Sequence, residues 1–493
     1  MKTTGETPYK ALDRKLSEGK WDEDLLRKFL FVYADVVFPP IPQPELADKL
    51  IAFYCEGMAD RTQLNLYFNA LCRYRVSIEQ KSDNIPDPSV RIPMIAVKTS
   101  SEEMMNELFS GNLILYSYGA TDFWVVQICD IPQRPVEESN TEISIKGPKD
   151  AFTENLYTNI SLIRKRLQTS LLYSEIFVVG SLSKTRVALL YFQHKANPDI
   201  IEQARERLST IETESVVSSG QLEQWLSDRT FSVFPLIDYI GRPDFIVETL
   251  LRGRFAIVVD GSPMVLIGPA NFLELLKTPE DIHFPYYYVI LQRLLRIIGL
   301  SISIMLPGFW LALATVNLDQ LPFNLLATVV VSRGGVPMPT ILESILLLFL
   351  FELLREAGIR LPKAVGQTIG IVGGIIIGDA LIRAGLASPT LLVVIAISAV
   401  ATFTLVNQSL SGSVSLLRFF MMLASAALGI YGFMLALLAI LIYLCRLRSF
   451  GIDYLEPIVS LKVRDWLSAL FVNPFRRRRN SAQVVNRRKG GGS

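Results

Sequence analysis

Residues 297–316, IIGLSISIMLPGFWLALATV, run for twenty positions without a charge. That is the length a helix needs to cross the hydrocarbon core of a bilayer. Arg293 and Arg296 stand just before this stretch, and arginines at one flank mark a cytoplasmic end. Working outward, Thr390–Asn407 and Phe419–Leu444 are two more apolar stretches, the second long enough to predict a tilted span. Weaker candidates lie between them. Leu321–Ser332 is short, Thr340–Leu354 carries Glu343 and Glu352, and Gly366–Leu386 carries Asp379 and Arg383.

Charge is distributed accordingly. Of the 493 residues, Ile297–Leu444 holds only 5 acidic and 6 basic, so nearly all charge lies outside it. The first 296 residues have 32 basic and 39 acidic side chains, an ordinary soluble composition, and the segment after Leu444 has 11 basic and 3 acidic. The overall +2 conceals an acidic front, an apolar middle and a basic tail with FRRRRN at 475–480. No apolar signal run opens the chain, so both ends are expected inside and the number of crossings even. Three clear spans plus 366–386 give four, the preferred count; both weaker pieces crossing gives six. The closing GGGS has the composition of an appended linker and is set aside.

The expected fold class is mixed: two cytosolic α/β subdomains over 1–140 and 146–285, then an α-helical membrane domain over 289–445 with four to six helices, then a basic tail over 446–489. In the first subdomain, helical stretches are expected around Leu25–Val37 and Leu46–Leu71. Ser100 and Glu103 have capping-box spacing, Gly111 is a plausible helix stop, and LILYSY with DFWVVQIC suggests a hairpin about Gly119. In the second, EIFVVG, VALLYF, FAIVVD and MVLIG read as strands, and Asn197-Pro198 starts a helix on which Glu202, Arg205 and Arg207 read as a solvated face.

Chemistry-bearing motifs are sparse. Four cysteines lack CxxC spacing and only two histidines occur, so metal sites and His-based triads are poorly supplied. There is no Walker A loop, GxGxxG, GxSxG or HExxH, and the reading assigns no catalytic residue, no metal and no cofactor. The sharpest pattern is Gly366, Gly370, Gly374 and Gly378, spaced four apart, a ridge for close helix packing or a thin wall beside an ion pathway. Asp379 and Arg383, one turn apart beside it, can neutralise each other. Glu352, Arg355, Glu356 and Arg360, followed by Pro362, form a charged cluster, read as an interfacial helix end or a gate, and Glu343 is a further gate or interface candidate.

GPKDAFTENLYTNISLIRKRL (147–167), GRPD (241–244), RGRFAIVVDGSPMVLIGP (252–269), REAGIRLP (355–362) and GQTIGIVGGIIIG (366–378) together resemble the A subunit of GerA-type spore germinant receptors, in order over about 146–445. The resemblance implies a multi-pass subunit of the spore inner membrane, its amino-terminal domain on the core side. Its partners would be membrane lipid, an amino-acid-transporter-like B subunit, a C lipoprotein and further copies of itself, with no nucleic acid. It also implies ion conduction by the A subunit, with the B subunit binding the nutrient. Asn159, Arg164, Arg166, Arg242, Pro243 and Asp244, in the matching soluble stretches, become candidates for coupling between domains or subunits. The chain departs from the family pattern in GRPD for ERPD, in Asp379 and Arg383 after the ridge, and in Val406 where a proline is usual. Two other readings are a self-contained transporter, against which stands the lack of inverted-repeat symmetry, and a membrane-tethered enzyme or signalling scaffold.

Overall fold

The computed structural model describes residues 8–41, 50–67, 95–130, 146–360, 376–405 and 407–456. They fall into two compact units, one holding the chain up to Thr230 with Ile237–Pro269, the other Phe231–Leu236 with the chain from Ala270.

The first unit contains two five-stranded sheets. Strands β1 (Val36–Val37), β2 (Leu50–Cys55), β3 (Ile95–Lys98), β4 (Leu113–Ser117) and β5 (Phe123–Val126) lie in the order β1-β2-β4-β5-β3, every pairing antiparallel. Helices α1 (Pro8–Ser17), α2 (Glu23–Leu30) and α3 (Ser101–Leu108) cover one face. There Leu12, Trp21, Leu26 and Met104 pack with Phe53, Ile114 and Phe123. Residues 50–55 correct the expected helix over Leu46–Leu71. LIAFYC is buried on both sides of the sheet, and a strand without a polar face has no alternation to betray it. The β4–β5 hairpin turns through Gly119, at φ +80°. Gly111 ends α3 at φ +92°, where a Cβ would lie 2.6 Å from the Met58 carbonyl oxygen. The capping box is not used: the Ser100 hydroxyl makes no cap bond, and Asp13 of α1 accepts from the Ser101 N–H at 2.6 Å.

In the second sheet, β6 (Leu172–Val179), β7 (Thr185–Phe192), β8 (Asp238–Ile240), β9 (Phe255–Val259) and β10 (Val265–Gly268) lie in the order β6-β7-β9-β10-β8, again antiparallel. Its helices are α4 (Leu156–Arg164), α5 (Pro198–Ser209), α6 (Ser219–Leu226) and α7 (Pro243–Leu251). The Asn197 side chain caps α5 by accepting from the Asp199 N–H at 3.0 Å. The solvated face expected on this helix is instead a tertiary contact. Arg205 reaches Glu175 of β6 at 2.8 and 2.9 Å, and Arg207 bonds the Leu226 carbonyl and Asp228.

The second unit is helical. Among the described residues, two helices are long and apolar enough to cross a membrane, α8 (Tyr286–Thr315) and the run ending at Arg446. The shorter ones are α9 (Phe323–Arg333), α10 (Thr340–Arg360) and α11 (Pro389–Thr402). Helix α12 (Gln408–Arg446) corrects the expectation of one tilted span over Phe419–Leu444. At Gly429 the backbone takes φ 63° and ψ −140°, a region open essentially to glycine alone, and the helix breaks into two arms. The arms fold back on each other, since a Cβ on Gly432 would overlap the Ala424 carbonyl. Ser413 from one arm and Tyr443 from the other both bond the backbone of Val233. Asn317, just past α8, accepts from the Ile430 N–H at 2.9 Å and so caps the second arm.

Contacts fix the directions of the legs. Ser303, Gly308 and Asn317 of α8 and its end meet Arg418, Met421 and Ile430 in turn, so α8 and the first arm run parallel. Ser398 meets Ser303 and Ala401 meets Gly299, so α11 runs opposite to α8. Glu352 meets Ser415 and Arg355 meets Ser411, so α10 runs opposite to the first arm.

Candidate functional site: a polar junction among apolar helices

Pro307 sits inside α8 and has no N–H, so the carbonyl one turn earlier, that of Ser303, loses its helical donor. Arg418 of α12 supplies one from its Nε at 2.9 Å, and Ser398 of α11 supplies a second from its hydroxyl at 3.0 Å. Arg418, Ser303 and Ser398 are fully buried. A second Arg418 nitrogen bonds the Thr402 hydroxyl, so three helices meet at one proline-freed carbonyl.

The countercharge comes from α10. Glu352 lies 3.7 Å from Arg418 Nη1, accepts from the Ser415 hydroxyl at 2.8 Å and pairs with Arg355 at 2.6 Å. Arg355 in turn donates to Ser411 and Ser415 at 3.3 and 2.8 Å. Ionisable groups among apolar membrane helices are expensive and accordingly mark function. The junction joins α8, α10, α11 and the first arm of α12, so any rearrangement among these helices must break or exchange its bonds.

Other charged groups pair locally. Asp281 takes Arg293 at 2.9 Å and Arg296 at 3.0 Å, all three buried. These two arginines, expected as a flank marking the membrane surface, thus turn inward to an acid. Glu343 of α10 is fully buried and accepts from both the N–H and the hydroxyl of Ser388, each at 2.6 Å, fastening the start of α11.

In the first unit, Asp35 and Arg164 form a fully buried pair, with an Arg164 Nη2 bond of 2.8 Å. Asp35 also accepts from Ser174 at 2.5 Å and Cys55 at 3.2 Å. Burial pushes the Asp35 carboxyl up, but the charge and hydrogen bonds of Arg164, then Ser174 and Cys55, outweigh it and hold it below its usual range. Burial, then the Asp35 charge, pushes the Cys55 thiol well up. Backbone bonds from Ala34 to Ser174 and from Ser174 to Val32 run beside this pair, so it bolts the first sheet's segment to β6 of the second.

The remaining residues expected from the sequence are placed as follows. Asn159 clamps the preceding loop, accepting from the Thr153 N–H at 2.7 Å and donating to the Thr153 carbonyl at 2.6 Å. Arg166 pairs with Asp150 at 2.5 Å. Pro243 opens α7, and Arg242, buried, folds onto Asp244 at 2.7 Å. Glu352 and Arg355 belong to the junction, Glu356 is exposed, and Arg360 closes α10. A Cβ on Gly378 would lie 3.5 Å from Leu392 of α11, an ordinary contact. Asp379 and Arg383 pair at 2.8 Å on an exposed face, away from the junction. Pro362, Gly366, Gly370 and Gly374 lie outside the described residues. Sequence reading missed Arg418, Ser303, Ser398 and Asp35. An arginine in SVSLLRFFMM and a proline inside the 297–316 span were the available signals for the first two.

The family described as "Bacillus/Clostridium GerA spore germination protein" matches residues 24–484. This chain belongs to the GerA family. Spore germination protein XA of Bacillus anthracis is 42% identical over 431 residues, 87% of this chain and 88% of that one. Spore germination protein KA of Bacillus subtilis is 35% identical over 386 residues, 78% and 71% of the two chains. A crystal structure of the N-terminal domain of the A subunit of the Bacillus megaterium germinant receptor GerK3 aligns over 50% of this GerA chain and 93% of that domain, with 28% identity and a TM-score of 0.38. The family match over 24–484 takes in both halves of the chain, and the junction lies inside it.

Proposed function

We propose that the chain is the membrane-embedded A subunit of a nutrient receptor of the spore inner membrane, that it assembles with B-type and C-type subunits and with copies of itself, and that its helical unit gates an ion pathway. The observation that carries the gating reading is the Arg418–Glu352–Arg355 junction. It concentrates charge at the meeting of four largely apolar helices, and a cluster with exchangeable partners is a suitable two-state element.

The same reading gives the helical unit six crossings. α8, α10, α11 and the two arms of α12 supply five legs, of which α10 and α11 run the same way, opposite to α8 and the first arm. Arg355, near the end of α10, keeps company with Ser411, whereas the helix over 376–383 precedes Ser388 at the Glu343 end. Counting one further leg between α10 and α11 makes the number even and puts both termini on one side, taken in this reading as the core side.

The test is genetic and physical. Spores lacking this chain, complemented with the wild-type gene, should regain ion release on exposure to nutrient mixtures. Complemented spores that stay unresponsive, or deleted spores that respond normally to every nutrient, would remove the receptor reading. Inert proteoliposomes of the assembled receptor would remove the channel reading alone.

A further inference from the structure

The junction carries more positive than negative charge. Arg355 and Arg418 are permanently cationic; among the described residues Glu352 is the single carboxylate paired with them, at 2.6 Å from Arg355 and 3.7 Å from Arg418, and the other partners are neutral hydroxyls and one carbonyl. Two donors show where the deficit falls. Arg418 Nη1 and Arg355 Nε are both shut off from solvent and have no hydrogen-bond acceptor among the described residues. Arg418 Nη1 has Glu352 at 3.7 Å, close enough for attraction but too far for a hydrogen bond.

Buried N–H groups are almost always satisfied, and those of a cation cost the most when they are not. One guanidinium with an orphan donor is unremarkable. Two, on facing helices and sharing one carboxylate, call for a second acceptor of negative charge. We propose that the Arg355–Arg418 pair binds a small monovalent anion, a halide or a carboxylate, which completes the junction. A guanidinium fork suits both, through two parallel N–H bonds to a carboxylate or two convergent ones to a halide. The side chains of Glu352 and Arg355 are 17% and 18% exposed, whereas Arg418 is sealed. Binding draws Arg355 toward Arg418 and relaxes its hold on Glu352, so the anion tightens α10 against the first arm of α12. The inference stands whether or not the chain conducts ions.

The experiment uses the purified full chain in neutral detergent at constant ionic strength, titrating chloride or acetate against a bulky sulfonate. The expected result is a saturable rise in the unfolding midpoint with chloride, acetate or both, the preferred ion identifying the source. Arg355→Gln leaves a balanced Arg418–Glu352 pair and should abolish the dependence. Glu352→Gln removes a competing charge and should tighten binding by about tenfold, the change produced by about 1.4 kcal/mol of relieved repulsion. Identical midpoints in all three salts overturn the proposal, as does unchanged anion dependence in Arg355→Gln. Should that variant not fold, the Glu352→Gln series decides: anion affinity equal to or weaker than wild type sinks it.

Discussion

Arg418 donates to the carbonyl of Ser303 that Pro307, one turn on, leaves without a helical partner. Sequence-remote residues are thus complementary: the proline creates the acceptor, and the arginine on another helix uses it. Arg418→Met removes the charged donor to the Ser303 carbonyl and the Thr402 hydroxyl while Glu352 keeps Arg355, and should lower stability by about 1.5 to 3 kcal/mol, the worth of hydrogen bonds made by a charged group. Pro307→Ala restores the N–H, so in that background the loss should shrink by about 1 kcal/mol, one hydrogen bond. Unfolding in detergent of both single variants and the double variant measures the coupling; strict additivity would show that the proline and the arginine are unrelated.

Gly429 is a hinge defined by its own backbone. A Cβ there would lie 2.3 Å from Asn317 Oδ1 and 2.8 Å from Val316 Cβ, at a φ of 63° that side chains rarely adopt. Gly429→Ala should therefore cost at least the 1 to 3 kcal/mol of ordinary over-packing. Cysteines placed at Ser413 and Tyr443, both bound to Val233, should be bridged by a bifunctional thiol reagent in wild type and no longer in the variant.

The Asp35–Arg164 bolt predicts acid sensitivity. A carboxyl held below its usual range contributes stability that is present above its unfolded value, about 3.9, and lost as pH falls below it toward the folded value. Asp35→Asn should remove that part of the acid transition while lowering stability at neutral pH, because Arg164 stays buried without its partner. Near-ultraviolet circular dichroism of both proteins across pH 2 to 7 reports it.

Glu223 of α6 gives the opposite sign. Burial, then the charge of Asp238, pushes its carboxyl up to about 7. The folded state therefore resists its ionisation, and the penalty grows as pH rises from the ordinary carboxylate range to about 7, then levels off. Glu223→Gln should raise the unfolding midpoint more at pH 8 than at pH 5, and an equal gain at both would refute the assignment.

How much of this was legible depended on how each residue advertises itself. The strands of the second sheet and the Asn197-Pro198 helix start have local signatures, and the structure contains them. Leu50–Cys55, buried on both faces, lacks the alternation that names a strand and was taken for helix. The break at Gly429 was hidden because an apolar run reads as continuous however the backbone turns inside it. The charged cluster of α10 was visible as a cluster. What it meets was not, because the bonds of Glu352 to Ser415 and Arg418 span more than sixty residues. Asp35 and Arg164, 129 positions apart, were invisible for the same reason.

The most direct test of the central claim is ion flux through proteoliposomes holding this chain with its B-type and C-type partners, recorded on nutrient addition for wild type and for Arg418→Met in receptor of equal assembly. The account predicts nutrient-triggered flux in wild type and a flux lost or no longer nutrient-dependent in the variant. Wild-type gating by an assembled Arg418→Met receptor, or flux from the partners without this chain, would contradict it.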